Sequence, residues 1–222
     1  MRVSAIILAA GSGSRFGEKK QFKNFKGKEL YLYSFHTFLQ CEYINEIILT
    51  VPKDTLTEVK KGIYDSKAPK KTLVVGGGLS RQESVKNGVL ATNKKSDLIC
   101  IHDGARPFVS EKLIKNSINA CKGNDGAIVA IPNYDTIKTC VKGYVETTID
   151  RSDVWMAQTP QVFRKEKLLK AIDFASNKKM KMTDESSMME SLGFQISVVK
   201  GDINNFKITS PEDWDRALKI TI

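Results

Sequence analysis

Val3-Ser4-Ala5-Ile6-Ile7-Leu8-Ala9 runs into Ala10-Gly11-Ser12-Gly13-Ser14-Arg15-Phe16-Gly17, and after Glu18 comes the basic pair Lys19-Lys20. A short apolar run broken by two glycines reads as a buried strand that ends in a turn. Gly11 and Gly13 let the backbone approach an anion closely, so that several N–H groups converge on one polyphosphate. Arg15 and Lys20 add full positive charge beside them. The spacing excludes two nucleotide motifs. A dinucleotide fingerprint needs glycine three places after Gly13, where this chain has Phe16, and no Gly-Lys-Ser or Gly-Lys-Thr closes a P-loop. The competing reading is a plain glycine turn between a strand and a helix, with Arg15 and Lys20 solvated.

The chain has 222 residues, which suits one α/β domain over 1–222 with a core that needs no disulfide or metal staple. Its 35 Lys and Arg against 25 Asp and Glu leave a formal charge of +10. No nucleic-acid partner is expected, because the lysines scatter over predicted helix faces and turns, such as Lys94-Lys95 and Lys178-Lys179, instead of forming a basic stripe. Small polyanionic substrates suit the loop better. Cys41, Cys100, Cys121 and Cys140 lie far apart, with no zinc-like spacing, and read as reduced thiols. Gly11 interrupts the first apolar run too early for a secretory leader, and no stretch approaches the roughly 18 apolar residues of a membrane helix. The expectation is a soluble cytoplasmic protein with no membrane partner.

Outward from the first loop, strand-like and helix-like runs alternate. Val3 to Ala9, Ile44 to Val51, Thr72 to Val75, Asp97 to Ile101 and Gly126 to Ile131 read as strands. Leu30 to Leu39, Thr55 to Tyr64, Ser80 to Ala91 and Glu111 to Cys121 read as helices, with Ser80 and Glu83 in capping-box spacing and Ser110 as a cap. This alternation predicts a mostly parallel, Rossmann-like sheet with helices on both faces. Ligands gather at the carboxyl ends of such strands, where the unusual residues fall. One segment breaks the pattern. Two β-prone arms around Lys142-Gly143, within about 133–152, predict a projecting hairpin, suited either to dimerisation or to folding back on its own domain.

Three further constellations carry chemistry. Gly77 and Gly78 precede a helix whose first turn holds Ser80, Arg81 and Ser84, either a second ligand loop or a flexible turn. Asp103 and Arg106 stand just past a strand, with Pro107 stiffening the exit; Asp103 suits a metal or a ribose hydroxyl, and the pair also suits a structural ion pair. His102 and His36 read as structural. Thr136 and Arg151 mark the base of the hairpin. Lys207, between Phe206 and Ile208, reads as part of a short strand whose alternation turns it toward a site or solvent.

The opening Leu8-Ala9-Ala10-Gly11-Ser12-Gly13-Ser14-Arg15 resembles the first loop of nucleoside triphosphate transferases. Lys20-Gln21-Phe22, Gly77-Gly78 through Arg81 and Ser84-Val85, and His102-Asp103-Gly104-Ala105-Arg106-Pro107 extend the likeness. So do Asp135-Thr136-Ile137-Lys138, Asp150-Arg151 through Trp155, Gln158-Thr159-Pro160-Gln161, Thr183-Asp184-Glu185, and Asn205-Phe206-Lys207-Ile208-Thr209. Together they resemble the 2-C-methyl-D-erythritol 4-phosphate cytidylyltransferases of the non-mevalonate isoprenoid pathway, nearly end to end. That resemblance implies CTP bound by Ala9, Ala10, Gly11, Gly13, Ser14, Gly77, Gly78, Arg81, Ser84 and Asp103. It implies Arg15 and Lys20 as transition-state stabilisers and Arg151 and Lys207 as positioners of methylerythritol phosphate. Asp103, Arg106, Thr136, Thr159 and Thr183 would contact that substrate. It further implies Mg²⁺ held mainly by the CTP phosphates, with Asp103 as a candidate ligand, and a homodimer in which the arm serves the neighbour's site. Lys19 stands where the family usually has proline, Leu79 where it often has aspartate, Gly104 where alanine is common, and the Arg15 to Lys20 loop is short. The rivals are ribitol 5-phosphate cytidylyltransferase, a non-catalytic nucleotide-binding subunit, and a nucleic-acid-binding module; the first lacks the Thr-Asp-Glu segment.

Overall fold

The computed structural model describes residues 1–221. In chain order the elements are β1 (Val3–Leu8), β2 (Asn24–Phe25), β3 (Lys28–Glu29), α1 (Leu30–Gln40), β4 (Glu46–Val51), α2 (Leu56–Asp65), β5 (Lys71–Gly76), α3 (Arg81–Ala91), β6 (Leu98–Asp103), α4 (Glu111–Lys122) and β7 (Gly126–Pro132). Then come β8 (Ile137–Val141), β9 (Tyr144–Ile149), β10 (Trp155–Arg164), α5 (Lys165–Asn177), α6 (Glu185–Glu190), β11 (Ile196–Lys200) and α7 (Pro211–Leu218). Short 3₁₀ turns cover Lys20–Phe22 and Lys53–Thr55.

Seven strands form the main sheet in the order β11-β7-β10-β6-β1-β4-β5. All neighbours pair in parallel except at β10, which runs antiparallel to both β6 and β7. β1 lies between β4 and β6, and every one of its residues from Val3 to Ile7 is buried, as a central parallel strand requires. Its alternation feeds two cores. Val3, Ala5 and Ile7 pack with Tyr31, Phe35 and Phe38 of α1, Val59 of α2 and Ile114 and Ile118 of α4. Ile6 on the other face packs with Ile48, Ile99, Ile101 and Phe163, under Val85 and Val89 of α3, Leu168 and Ile172 of α5 and Met188 and Met189 of α6. A third cluster, around Phe25, Leu30, Tyr33, Ala105, Ile208, Trp214 and Ala217, joins α7 to the carboxyl-end loops.

The predicted caps form, one of them shifted. Ser110 Oγ accepts from Leu113 N at 3.3 Å, and Ser80 Oγ accepts from Glu83 N at 3.1 Å. The return half of the Ser80 box misses its residue by one, since Glu83 Oε2 accepts from Leu79 N at 2.6 Å. The hairpin forms as read: β8 and β9 pair only with each other, joined at Lys142 (φ 50°) and Gly143 (φ 86°), the two left-handed residues of a tight hairpin turn. Its side chains are largely exposed. The short strand expected around Lys207 does not form. Ile208 N donates to Ala105 O at 2.9 Å, and the next N–H groups, of Thr209 and Ser210, turn to the Asp213 side chain, so no ladder develops.

Candidate active site

Because β1, β4, β5 and β6 are parallel, the loops that follow them emerge on one side of the sheet. The loop after β1 crosses toward the loop after β5, and Gly77 makes the crossing possible: a Cβ there would stand 2.2 Å from the Ala10 Cβ. Gly13 adopts φ +72°, and a Cβ there would lie 1.7 Å from Glu18 O, so the turn closes only on glycine. Gly13 O accepts from Phe16 N at 2.8 Å and from Gly17 N at 3.0 Å. Gln21, buried beneath the loop, donates its side-chain amide to Ala9 O at 2.9 Å and to Gly11 O. Across the cleft, Ser84 Oγ accepts from Gly78 N at 3.1 Å and donates to Ser80 O at 2.9 Å, which ties the second glycine loop to the first turn of α3.

These loops enclose a cleft of about 510 Å³ lined by Ala10 to Arg15, Lys20, Gly78 to Arg81, Ser84, Asp103 and Lys207, among others. Among the described residues four cations, Arg15, Lys20, Arg81 and Lys207, line it against a single carboxylate, Asp103. Such a surface selects for polyanions. Asp103 is the hub. Its Oδ1 accepts from Arg81 Nε at 3.3 Å and its Oδ2 from Lys207 Nζ at 3.0 Å, with Arg106 Nε 3.7 Å away. Burial works against the charged carboxylate, but Arg81, Lys207 and Arg106 outweigh it and hold Asp103 far below the usual carboxylate range. Arg81 is shared with Glu185, whose Oε1 accepts from Nη1 at 2.5 Å. Glu185 is 1 % exposed, and burial raises its pKa.

A hydrogen-bond relay supports the hub from below. Asp103 N donates to Thr159 Oγ1 at 3.0 Å, and the Thr159 hydroxyl lies 3.0 Å from His102 Nδ1. On the far side, His102 Nε2 lies 3.1 Å from Arg106 O. A carbonyl only accepts, so Nε2 carries a proton; burial disfavours a second one, which leaves the ring neutral with Nδ1 accepting from Thr159. Burial pushes the His102 pKa down to about 4. Arg106 turns away from the cleft: Nη1 donates to Asn205 O at 2.8 Å, and burial lowers its pKa.

The cleft therefore collects Ala10, Gly11, Gly13, Ser14, Arg15, Lys20, Gly78, Arg81, Ser84, Asp103 and Lys207. Ala9, Gly77, Arg106 and Thr159 lie buried behind it as supports. Thr183 is exposed just before α6. Thr136 and Arg151 sit on the arm, where both are exposed and Arg151 Nη1 donates to Tyr134 O at 2.6 Å. Lys19 pairs with Asp54 and leaves the cleft to Lys20. Lys20 is 8 % exposed, and its pKa is lowered first by burial and then by Lys207 and Arg15. Leu79, where the resemblance has aspartate, is fully exposed at the rim. Gln21 and Glu185 escaped the sequence reading as individual functional residues, although each belongs to a segment singled out there. The same is true of the His102–Thr159 relay.

The profile of the 2-C-methyl-D-erythritol 4-phosphate cytidylyltransferase family matches residues 3–221. The chain belongs to this family. It is a nucleotidyltransferase. It is 38 % identical over 218 residues to the enzyme of that name from Geotalea uraniireducens (strain Rf4), covering 96 % of this chain and 94 % of the relative. With the enzyme from Aquifex aeolicus (strain VF5) it shares 40 % identity over 217 residues, covering 98 % and 96 %. Among solved structures, the 4-diphosphocytidyl-2C-methyl-D-erythritol synthase from Anaerococcus prevotii DSM 20548 superposes with a TM-score of 0.86 at 34 % identity, covering 98 % and 96 %. The cytidylyltransferase from Francisella tularensis gives 0.83 at 29 % identity, covering 98 % of each chain.

Proposed function

We propose that this protein transfers the cytidylyl group of CTP to 2-C-methyl-D-erythritol 4-phosphate, giving 4-diphosphocytidyl-2-C-methyl-D-erythritol and pyrophosphate. The observation that carries this reading is the glycine-walled cleft in which four cations face one carboxylate, at the carboxyl ends of the central strands. A phosphate oxygen of methylerythritol phosphate attacks the α-phosphorus of CTP. One P–O bond forms as the bond to the β-phosphate oxygen breaks, and pyrophosphate leaves with the electron pair. The attacking oxygen is already anionic, so positioning and electrostatic stabilisation do the catalytic work.

In this reading Ala9 to Ser14, Gly77, Gly78, Arg81 and Ser84 form the CTP site. Arg15 and Lys20 stabilise the charge that grows on the α-phosphate and the leaving group. Lys20 suits that role because burial first, and then Lys207 and Arg15, disfavour its charge, so an incoming triphosphate supplies the missing counter-charge. Lys207, held by Asp103, receives the attacking phosphate together with Arg151 and Thr136 of a second copy. Thr159 and Arg106 act through Asp103, and Thr183 closes the substrate side. Asp103 is the one carboxylate lining the cleft among the described residues, and a carboxylate offers lone pairs beyond its bonds to Arg81 and Lys207. It would therefore hold Mg²⁺ together with the triphosphate oxygens. When bound, that ion neutralises phosphate charge and polarises the P–O bonds.

We also propose a homodimer through the arm and a cytoplasmic setting. Val141, Tyr144, Val145 and Ile149 leave an apolar ribbon exposed, and all four cysteines are free thiols. No helix among the described residues is long and apolar enough to cross a membrane. The test is pyrophosphate release by the purified protein with CTP and Mg²⁺. Release with methylerythritol phosphate and not with ribitol 5-phosphate is expected; the reverse pattern would overturn the substrate, and silence with both the reaction.

A further inference from the structure

Between Gly11 and Lys19 the loop after β1 holds one large apolar side chain, Phe16. Every other residue of the segment is glycine, serine or charged. The turn closed on Gly13 O fixes the backbone of Phe16, whose ring is half-buried and packs on Trp214 of α7, with ring centroids 5.6 Å apart. Trp214 in turn meets Phe25 edge to face at 5.2 Å. The cluster they join contains Ala105 and Ile208, themselves linked by the hydrogen bond from Ile208 N to Ala105 O. Ala105 lies between Asp103 and Arg106 in sequence, and Ile208 follows Lys207. One apolar cluster thus underlies the Arg15 loop, the Asp103 hub and the Lys207 segment.

The second observation concerns Lys20. Burial, Lys207 and Arg15 disfavour its charge, Asp213 and Asp103 favour it from farther off, and among the described residues no carboxylate lies within ion-pair distance of its amine. Instead Nζ lies 5.6 Å from the centroid of the Phe16 ring, with Lys23 Nζ 5.4 Å from the same ring and 5.4 Å from the Trp214 ring. A ring face attracts an ammonium without neutralising it as a carboxylate would.

We propose that Phe16 is a positioning residue of the transfer reaction. Seated on Trp214, it fixes the phosphate loop relative to Lys207 and gives Lys20 a ring face in place of a counter-ion, which leaves the amine free for nucleotide phosphates. This inference rests on the cytidylyl-transfer reading and adds the device that aligns its two halves.

The experiment compares Phe16→Ala, Phe16→Leu and Phe16→Tyr by steady-state kinetics and thermal unfolding. It adds acrylamide quenching of Trp214 emission with Trp155, the only other tryptophan, replaced by Phe. Phe16→Ala is expected to lower kcat roughly 10- to 100-fold, the scale of a 1 Å misplacement of catalytic groups, with KM for the phosphate acceptor within about twofold of wild type. Phe16→Tyr should restore the rate and Phe16→Leu only part of it, because Leu refills the seat without a ring face. Trp214 should become more quenchable in Phe16→Ala. Wild-type kcat in Phe16→Ala, or equal rates in the Ala and Leu variants, would overturn the proposal. A wild-type protein that releases no pyrophosphate would instead sink the reaction itself, and the quenching would then still report whether Phe16 covers Trp214.

Discussion

Asp103 and Arg151 are both charged residues of the proposed site, and their surroundings are opposite. Asp103 is buried, its oxygens answered by Arg81, Lys207 and Arg106 from three separate parts of the chain, and its N–H held by Thr159. Arg151 is exposed at the base of the ribbon, and among the described residues its side chain donates only to the carbonyl of Tyr134 beside it. The hub is pre-organised, because each charge there is fixed by others in the same chain. The arm is a two-stranded hairpin, marginal by itself in water, that carries exposed Tyr144 and Val145. Its side-chain hydrogen bonds, such as Thr139 Oγ1 with Thr147 Oγ1 at 2.8 Å, stay within the arm itself. In the proposed reading the cleft around Asp103, Lys207 included, is complete within one chain, and the part of the acceptor site carried by Thr136 and Arg151 depends on assembly.

The largest effect is expected in that cleft. Lys20→Ala should lower kcat by roughly 10² to 10³, as loss of a pre-organised transition-state donor does elsewhere, while CTP binding measured by calorimetry persists. Near-normal turnover would remove Lys20 from the mechanism. The lowered pKa of Lys20 adds a sign: its charge is lost at lower pH than that of an ordinary lysine, so activity should fall on the alkaline side, and Lys20→Arg should flatten that limb.

The relay beneath the hub supplies the next effect. His102 is neutral in the fold with a pKa of about 4, below the ordinary 6.5, so its contribution to stability is complete above about pH 6.5 and is lost as pH falls toward 4. The expected loss is about 3 kcal/mol. Urea midpoints measured between pH 7 and pH 4 should fall less steeply for His102→Gln than for wild type, and parallel slopes would contradict the neutral tautomer.

The smallest signal breaks or sharpens the contrast itself. Chains carrying Arg15→Ala and Arg151→Ala, each inactive alone, should regain roughly a quarter of wild-type activity when co-expressed, since random pairing leaves one intact site in each heterodimer. Confirmed heterodimers without recovery would place the whole site within one chain.

Much of this was legible in the chain. The parallel alternation, the arm with its Lys142-Gly143 turn, the Ser80 and Ser110 caps and the two glycine loops follow from local patterns of period, glycine and capping, which act within a few residues of their cause. What local pattern could not reveal was β10, whose Gln158-Thr159-Pro160-Gln161 stretch reads only as a motif of the family resemblance. It nevertheless continues through a register shift as an antiparallel strand between two parallel ones. Gln21, too, lay in plain view without announcing that its amide would hold the first loop.

The sequence by itself determined the central strand, the polarity of the loops and the excess of cations around the phosphate cradle, because periodicity and charge are properties of neighbouring residues. Only the tertiary structure decided which charges meet. Arg81 and Glu185, like Asp103 and Lys207, stand 104 residues apart and share one network because α3, α6, β6 and the segment before α7 converge at one end of the sheet. Burial there decides which of those groups stay ionised, and burial is a property of the packed chain.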